Sequence, residues 1–118
     1  MIFKGITKDF SLENEDQYNT IGVFWDEMTM KYGLENLIGL GYKWQSGKIS
    51  YAIGLKRGEI EECNIVIDLP DDGWEITRGR TDDLKGIYDE IYRLSPLAME
   101  IEYFFENGDC EIRYIRKK

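Results

Sequence analysis

The amino-acid sequence predicts an α+β fold in which an antiparallel sheet carries two helices on one face and a central cleft. Two turn signals, Asn107-Gly108 and Ser46-Gly47, each lie between extended runs and predict hairpins. Two other segments place apolar residues at helical spacing. Because each helical segment follows a strand and precedes a hairpin, the order strand, helix, hairpin occurs twice. We therefore expect an internal duplication with pseudo-repeats at about residues 1–57 and 60–118.

The two helices are predicted from apolar spacing and from the residues at their ends. The first, residues 17–32, ends at Gly33, and its apolar face is formed by Ile21, Phe24, Trp25 and Met28. The second begins at Thr81, which can act as an N-cap, and cannot continue through Pro96. Its apolar face is formed by Leu84, Ile87, Tyr88 and Ile91. Outside the hairpins, strands are expected at residues 2–12, 61–69 and 74–79.

The hairpin at Asn107-Gly108 is the strongest local signal, because both residues accept the positive φ of a two-residue turn. Such a turn would place Glu102 directly opposite Arg113. Since side chains alternate across a strand, one face would be core and the other would carry carboxylates beside an aromatic. The predicted core face holds Met99, Ile101, Tyr103, Phe105, Cys110, Ile112 and Tyr114, and the other face holds Glu100, Glu102, Phe104, Glu111, Arg113 and Ile115.

The hairpin at Ser46-Gly47 predicts an aromatic face and a bare face. Its register would place Tyr42 opposite Tyr51 and Trp44 opposite Ile49. The aromatics either form a wall that stacks ligands or pack as core under a helix, and both interpretations stay open. The bare face lets a helix or a ligand approach the backbone; it would hold Gly39, Gly41, Ser50, Ala52 and Gly54.

Composition excludes several classes of function. The formal net charge is -8, which disfavours nucleic acid and favours cationic partners. There is no histidine, so Ser-His-Asp and Cys-His catalysis are excluded, and we expect neither a metal nor a cofactor. No signal peptide or long apolar run is found, so we expect one cytoplasmic domain, residues 1–118, that does not bind membranes.

Four segments in order resemble the GyrI-like, or AraC-type effector-binding, small-molecule-binding domains. They are Ile49–Leu55, Asp72–Gly79, Ile101–Phe104 and Cys110–Ile112. The resemblance implies a duplicated strand-helix-strand-strand unit whose halves enclose a cleft for lipophilic, often cationic, compounds. It also implies that a cleft glutamate, matched here by Glu102, acts as counter-charge. Most members carry a fused helix-turn-helix domain, for which this chain has no room, so a stand-alone module is expected. The chain departs from the family at Arg113-Tyr114-Ile115, where a proline is usual.

These observations predict a stand-alone module that binds lipophilic, cationic small molecules as a monomer or homodimer. The candidate ligand-binding residues are Glu102, Phe104, Tyr51, Tyr42, Trp44 and Arg113. The structural alternative for Glu102 is a cross-strand ion pair with Arg113. One functional alternative, implied by the resemblance, is a hydrolase of strained cyclopropane-type toxins that uses Glu102 and Tyr51. Another is a protein-interaction module of the gyrase-inhibitor type.

Overall fold

A computed structural model describes residues 1–118 and confirms the predicted fold class: an open, seven-stranded antiparallel sheet with two helices. The helices are α1 (Gln17–Tyr32) and α2 (Leu84–Leu94). The strands are β1 (Ile2–Ser11), β2 (Leu37–Gln45), β3 (Lys48–Leu55), β4 (Ile65–Asp68), β5 (Glu75–Arg80), β6 (Leu97–Phe104) and β7 (Asp109–Arg116). Neither helix has both the length and the apolar character that crossing a membrane requires.

The two halves of the chain have the same topology. The strand order across the sheet is β4-β1-β3-β2-β6-β7-β5, and every neighbouring pair is antiparallel. In each half, a strand and a helix precede a hairpin, and the first strand pairs with the last strand of that hairpin. The halves meet where β2 pairs with β6, with Leu40 opposite Ile101. This is the arrangement that the predicted duplication requires, with β4 added at one edge.

The helices follow the predicted apolar spacing. Phe24, Trp25 and Met28 are buried on α1, and Gly33, with φ of 86°, ends that helix as predicted. On α2, Tyr88 and Ile91 are buried. The predicted N-cap role of Thr81 is wrong, because this residue lies in a short 3-10 turn and its hydroxyl donates to the Asp109 carbonyl at 3.3 Å.

The register predicted at Asn107-Gly108 is wrong by one residue. Only Gly108 in this turn has a positive φ, 91°, and its N–H donates to the Phe105 carbonyl at 3.0 Å. These features form a three-residue loop, a type I turn followed by a glycine bulge, instead of the two-residue turn. Glu102 therefore lies opposite Ile112, and Arg113 lies opposite Ile101. A slip of one residue turns every β7 side chain to the other face.

The register at Ser46-Gly47 is correct near the turn and wrong beyond it. Both turn residues have positive φ, and Trp44 lies opposite Ile49 as predicted. A β-bulge after Gly41 then turns Tyr42 to the other face, where its hydroxyl lies 2.7 Å from the Thr7 hydroxyl. Tyr51 therefore lies opposite Gly41 and not opposite Tyr42.

Both faces of the sheet are covered. The helices pack on one face, whose core includes Tyr51 and Ile112. The other face carries a second apolar cluster, on which Leu69 and Trp74 pack from the connection between the two edge strands, β4 and β5. The face under the helices is the one that carries Glu100 and Glu102, and both of these side chains are buried there.

Candidate functional site

A cleft of about 490 Å³ lies between α1 and α2, over the strands where the two halves meet. Thirteen of its 21 lining residues are hydrophobic, and no lysine or arginine is among them. Its ionisable residues other than tyrosine are all acidic: Asp26, Glu100 and Glu102. Its aromatic residues are Tyr18, Trp25, Trp44, Tyr51, Tyr88, Tyr92, Phe104 and Phe105.

Two glycines of β2 make room for the polar groups of the cleft. A Cβ added at Gly39 would lie 2.6 Å from the Trp25 ring, and one at Gly41 would lie 2.8 Å from Glu100 Oε1. Any side chain at these positions would displace those groups. Gly39 and Gly41 allow the close approach predicted for the bare face, but the bulge places them on the same face as Tyr51 and not with Ala52.

Glu102 lies at the floor of the cleft, where 4% of its surface is exposed. Tyr51, on β3, donates its hydroxyl to Oε1, and Tyr88, on α2, donates its hydroxyl to Oε2 at 2.7 Å. The Trp25 indole N–H donates to the Tyr51 hydroxyl at 2.7 Å. Both halves of the molecule therefore hold this one carboxyl group.

Glu100 is equally buried and lies two residues before Glu102 on the same face of β6. Tyr92 donates its hydroxyl to Oε2 of Glu100 at 3.1 Å. Burial and the neighbouring Glu102 charge raise the pKa of Glu100 well above its ordinary value, although the nearby hydroxyl groups of Tyr92 and Tyr88 lower it in part. Burial likewise raises the pKa of Glu102, against the opposing effect of Tyr51 and Tyr88.

The phenols that hold these carboxyl groups remain protonated donors. Burial and the Glu102 charge raise the pKa of Tyr51 well above its ordinary value of 10.0. Burial and the Glu100 charge do the same for the pKa values of Tyr88 and Tyr92. The site at neutral pH is therefore two carboxyl groups that receive only neutral hydroxyl donors, with no cation among the lining residues.

The structure brings four of the six predicted site residues together: Glu102, Tyr51, Trp44 and Phe104 line the cleft. Tyr42 lies on the opposite face because of the bulge. Arg113 also lies on the opposite face, so its predicted pairing with Glu102 is wrong. Its Nε donates to Glu111 Oε2 at 2.7 Å, and its guanidinium lies 5.2 Å from the centre of the Tyr103 ring.

Sequence reasoning missed several residues that build the cleft: Glu100, Tyr88, Tyr92 and Tyr18. Some signal was present. Glu100 and Glu102 share a face of the predicted strand, and Tyr88 and Tyr92 are four residues apart on the predicted second helix. The missing information was the pairing of the two halves, which sets these positions around one space.

The chain matches no protein-family model and no curated protein sequence. What the cleft can bind follows from its own geometry.

Proposed function

We propose that this protein binds lipophilic, cationic small molecules in the cleft between α1 and α2. The observation that carries the proposal is the pair of buried carboxyl groups, Glu100 and Glu102, in an aromatic cleft whose lining residues include no basic side chain. A buried carboxylate is costly unless it is paired with a positive charge. A cationic ligand supplies the charge that the protein does not.

The walls of the cleft suit the apolar part of such a ligand. Its volume, about 490 Å³, falls within the range of roughly 300–1,000 Å³ that small-molecule sites occupy. Aromatic rings attract cations through their negative faces, and they also bury the flat hydrocarbon of a dye or drug. Trp25, Trp44 and Tyr88 line the cleft from three different elements, so a ligand there has aromatic contacts on several sides.

A fluorescence titration with rhodamine 6G and ethidium tests this proposal. We expect saturable binding by the wild type. The double variant Glu100→Gln/Glu102→Gln keeps the shape of both side chains and removes both charges, so its affinity should fall by about 100-fold, or roughly tenfold for each lost charge. Glu62→Gln, an exposed carboxyl of the same chemistry, should bind as the wild type does. Absence of saturable binding, or equal binding by the double variant, contradicts the proposal.

One contact favours a second candidate, the hydrolysis of a strained, electrophilic cyclopropane compound. The Tyr51 hydroxyl is hydrogen-bonded to Glu102, so a proton donor and a buried base lie side by side in the cleft. Because burial raises the pKa of Glu102, its ionised form is a stronger base than an exposed glutamate. Incubation with such a compound, followed by mass spectrometry, would show a product heavier by one water that is absent with Glu102→Gln.

A further inference from the structure

We propose that Glu100, and not Glu102, contacts the positive group of the ligand, and that it does so through an N–H hydrogen bond. The cleft would then select protonated amines over cations that carry no N–H. This inference deepens the proposed function and depends on it. It assigns separate roles to two carboxyl groups that share a strand face.

Glu102 already has its hydrogen-bonding partners within the protein. Each of its oxygens accepts a phenol hydroxyl, one from Tyr51 and one from Tyr88. Tyr51 is in turn held by the Trp25 indole. A ligand N–H at Glu102 would have to share an oxygen with one of these phenols, because both oxygens already accept a hydrogen bond, whereas an oxygen without a donor offers its full acceptor strength. Glu102 therefore positions the tyrosines and contributes its charge from beneath.

Glu100 has one oxygen without a donor. Oε2 accepts the Tyr92 hydroxyl at 3.1 Å, whereas Oε1 accepts no hydrogen bond from the protein. Gln17 Oε1 is the one fully buried side-chain N or O atom without a hydrogen-bond partner. Glu100 Oε1 also has no partner, so it is not fully buried and keeps some accessible surface. It lies over Gly41, whose missing side chain makes room for it. This oxygen is available to a group inside the cleft.

Gln17 supplies a second observation of the same kind. Its Oε1 is buried without a donor, and the residue lines the same cleft from the start of α1. Both unpaired polar atoms are acceptors, Glu100 Oε1 and Gln17 Oε1. Buried acceptors are complemented by donors, so the matching ligand carries N–H groups. A protonated amine offers both the donor and the charge, whereas a quaternary ammonium offers only the charge.

A matched ligand pair tests the inference. N,N-dimethyl-1-naphthylmethylamine is protonated at pH 7 and carries one N–H; its N,N,N-trimethyl derivative carries the same charge and ring without a donor. By calorimetric titration, the wild type should bind the protonated amine at least about tenfold more tightly, the effect of one charged hydrogen bond. Glu100→Gln should bind both ligands weakly and lose the preference. Glu102→Gln should weaken both ligands and keep the preference.

A second variant separates the position of Glu100 from its charge. In Gly41→Ala the new Cβ would lie 2.8 Å from Glu100 Oε1 and 2.9 Å from its Cγ, so this side chain must move. Binding of the quaternary ligand should change little, and the preference for the amine should be lost. Circular dichroism checks that each variant is folded.

The outcomes distinguish the two proposals. If the wild type binds neither ligand, the proposed function fails and this inference fails with it. If it binds both ligands equally, only the inference fails. A preference for the amine that survives in Glu100→Gln, or that is lost in Glu102→Gln alone, also overturns the inference.

Discussion

Glu100 is a carboxyl group whose only hydrogen bond within the protein comes from a phenol, Tyr92. Every charged or titratable group that lines the cleft with it is acidic or neutral, so its burial carries a cost in folding free energy. The raised pKa of Glu100 reflects the same cost of burying its ionised form, because the folded protein holds the proton more tightly than the unfolded chain does. These cleft-lining groups are Glu102 on its own strand, Tyr18 and Asp26 on α1, Tyr51 on β3, and Tyr88 and Tyr92 on α2.

The pH dependence of stability follows from this raised pKa. A carboxyl group with a raised folded-state pKa contributes stability that is fully present below its unfolded pKa, near 4.5, and is lost as pH rises through the folded value. Glu100→Gln removes this loss. The variant should therefore melt above the wild type at pH 8, by about 4 °C for each kcal/mol recovered, and the difference should shrink toward pH 4.5. Calorimetric melting of both proteins at the two pH values measures it; a variant that is less stable at pH 8 contradicts the account.

At the scale of elements, β2 makes room for the site because it carries glycines where other residues would place side chains. Gly39 leaves space for the Tyr51 hydroxyl and the Trp25 ring, and both of these side chains are buried and tightly packed. Gly39→Ala should therefore destabilise the protein by about 1–3 kcal/mol, because the added methyl must displace packed rings. Gly22→Ala, on α1, is the control: its Cβ meets nothing within 4 Å, and replacing a helical glycine should stabilise by about 0.5–1 kcal/mol. Urea unfolding of both variants decides this, and equal effects would contradict it.

The helices and strands could be predicted where the local residues determine them. The bounds of α1 follow from apolar spacing and from Gly33, and both are confirmed. The registers were not predictable, since Asn-Gly serves either a two-residue turn or a three-residue loop with the glycine alone at positive φ. What decides between them is tertiary packing: the observed register buries Ile112 completely on the helix-covered face. The bulge beside Gly41 is another departure that the local residues do not determine. The one-residue shift of β7 moves Arg113 away from the cleft, and the bulge moves Tyr42 away from it.

At the scale of the whole molecule, the cleft exists because two halves of like topology meet at β2 and β6. Each helix packs over the sheet in its own half of the molecule. The cleft between the two helices is lined by the aromatic side chains and the two carboxyl groups. The order of elements predicted this groove from the sequence. That Glu102 has no ion-pair partner could not be predicted, since whether it pairs with Arg113 depends on a register that the local residues do not determine.

The three tryptophans provide the most direct test of the central claim, that the cleft is the binding site. Trp25 and Trp44 line the cleft, whereas Trp74 packs on the opposite face and donates its indole N–H to the Pro70 carbonyl at 2.8 Å. The measurement is a ¹H–¹⁵N NMR titration of the three indole N–H signals with rhodamine 6G, assigned by single Trp→Phe variants. We expect the Trp25 and Trp44 signals to shift in a saturable way while the Trp74 signal stays in place. A shift of Trp74 alone, or no shift at all, would contradict the account.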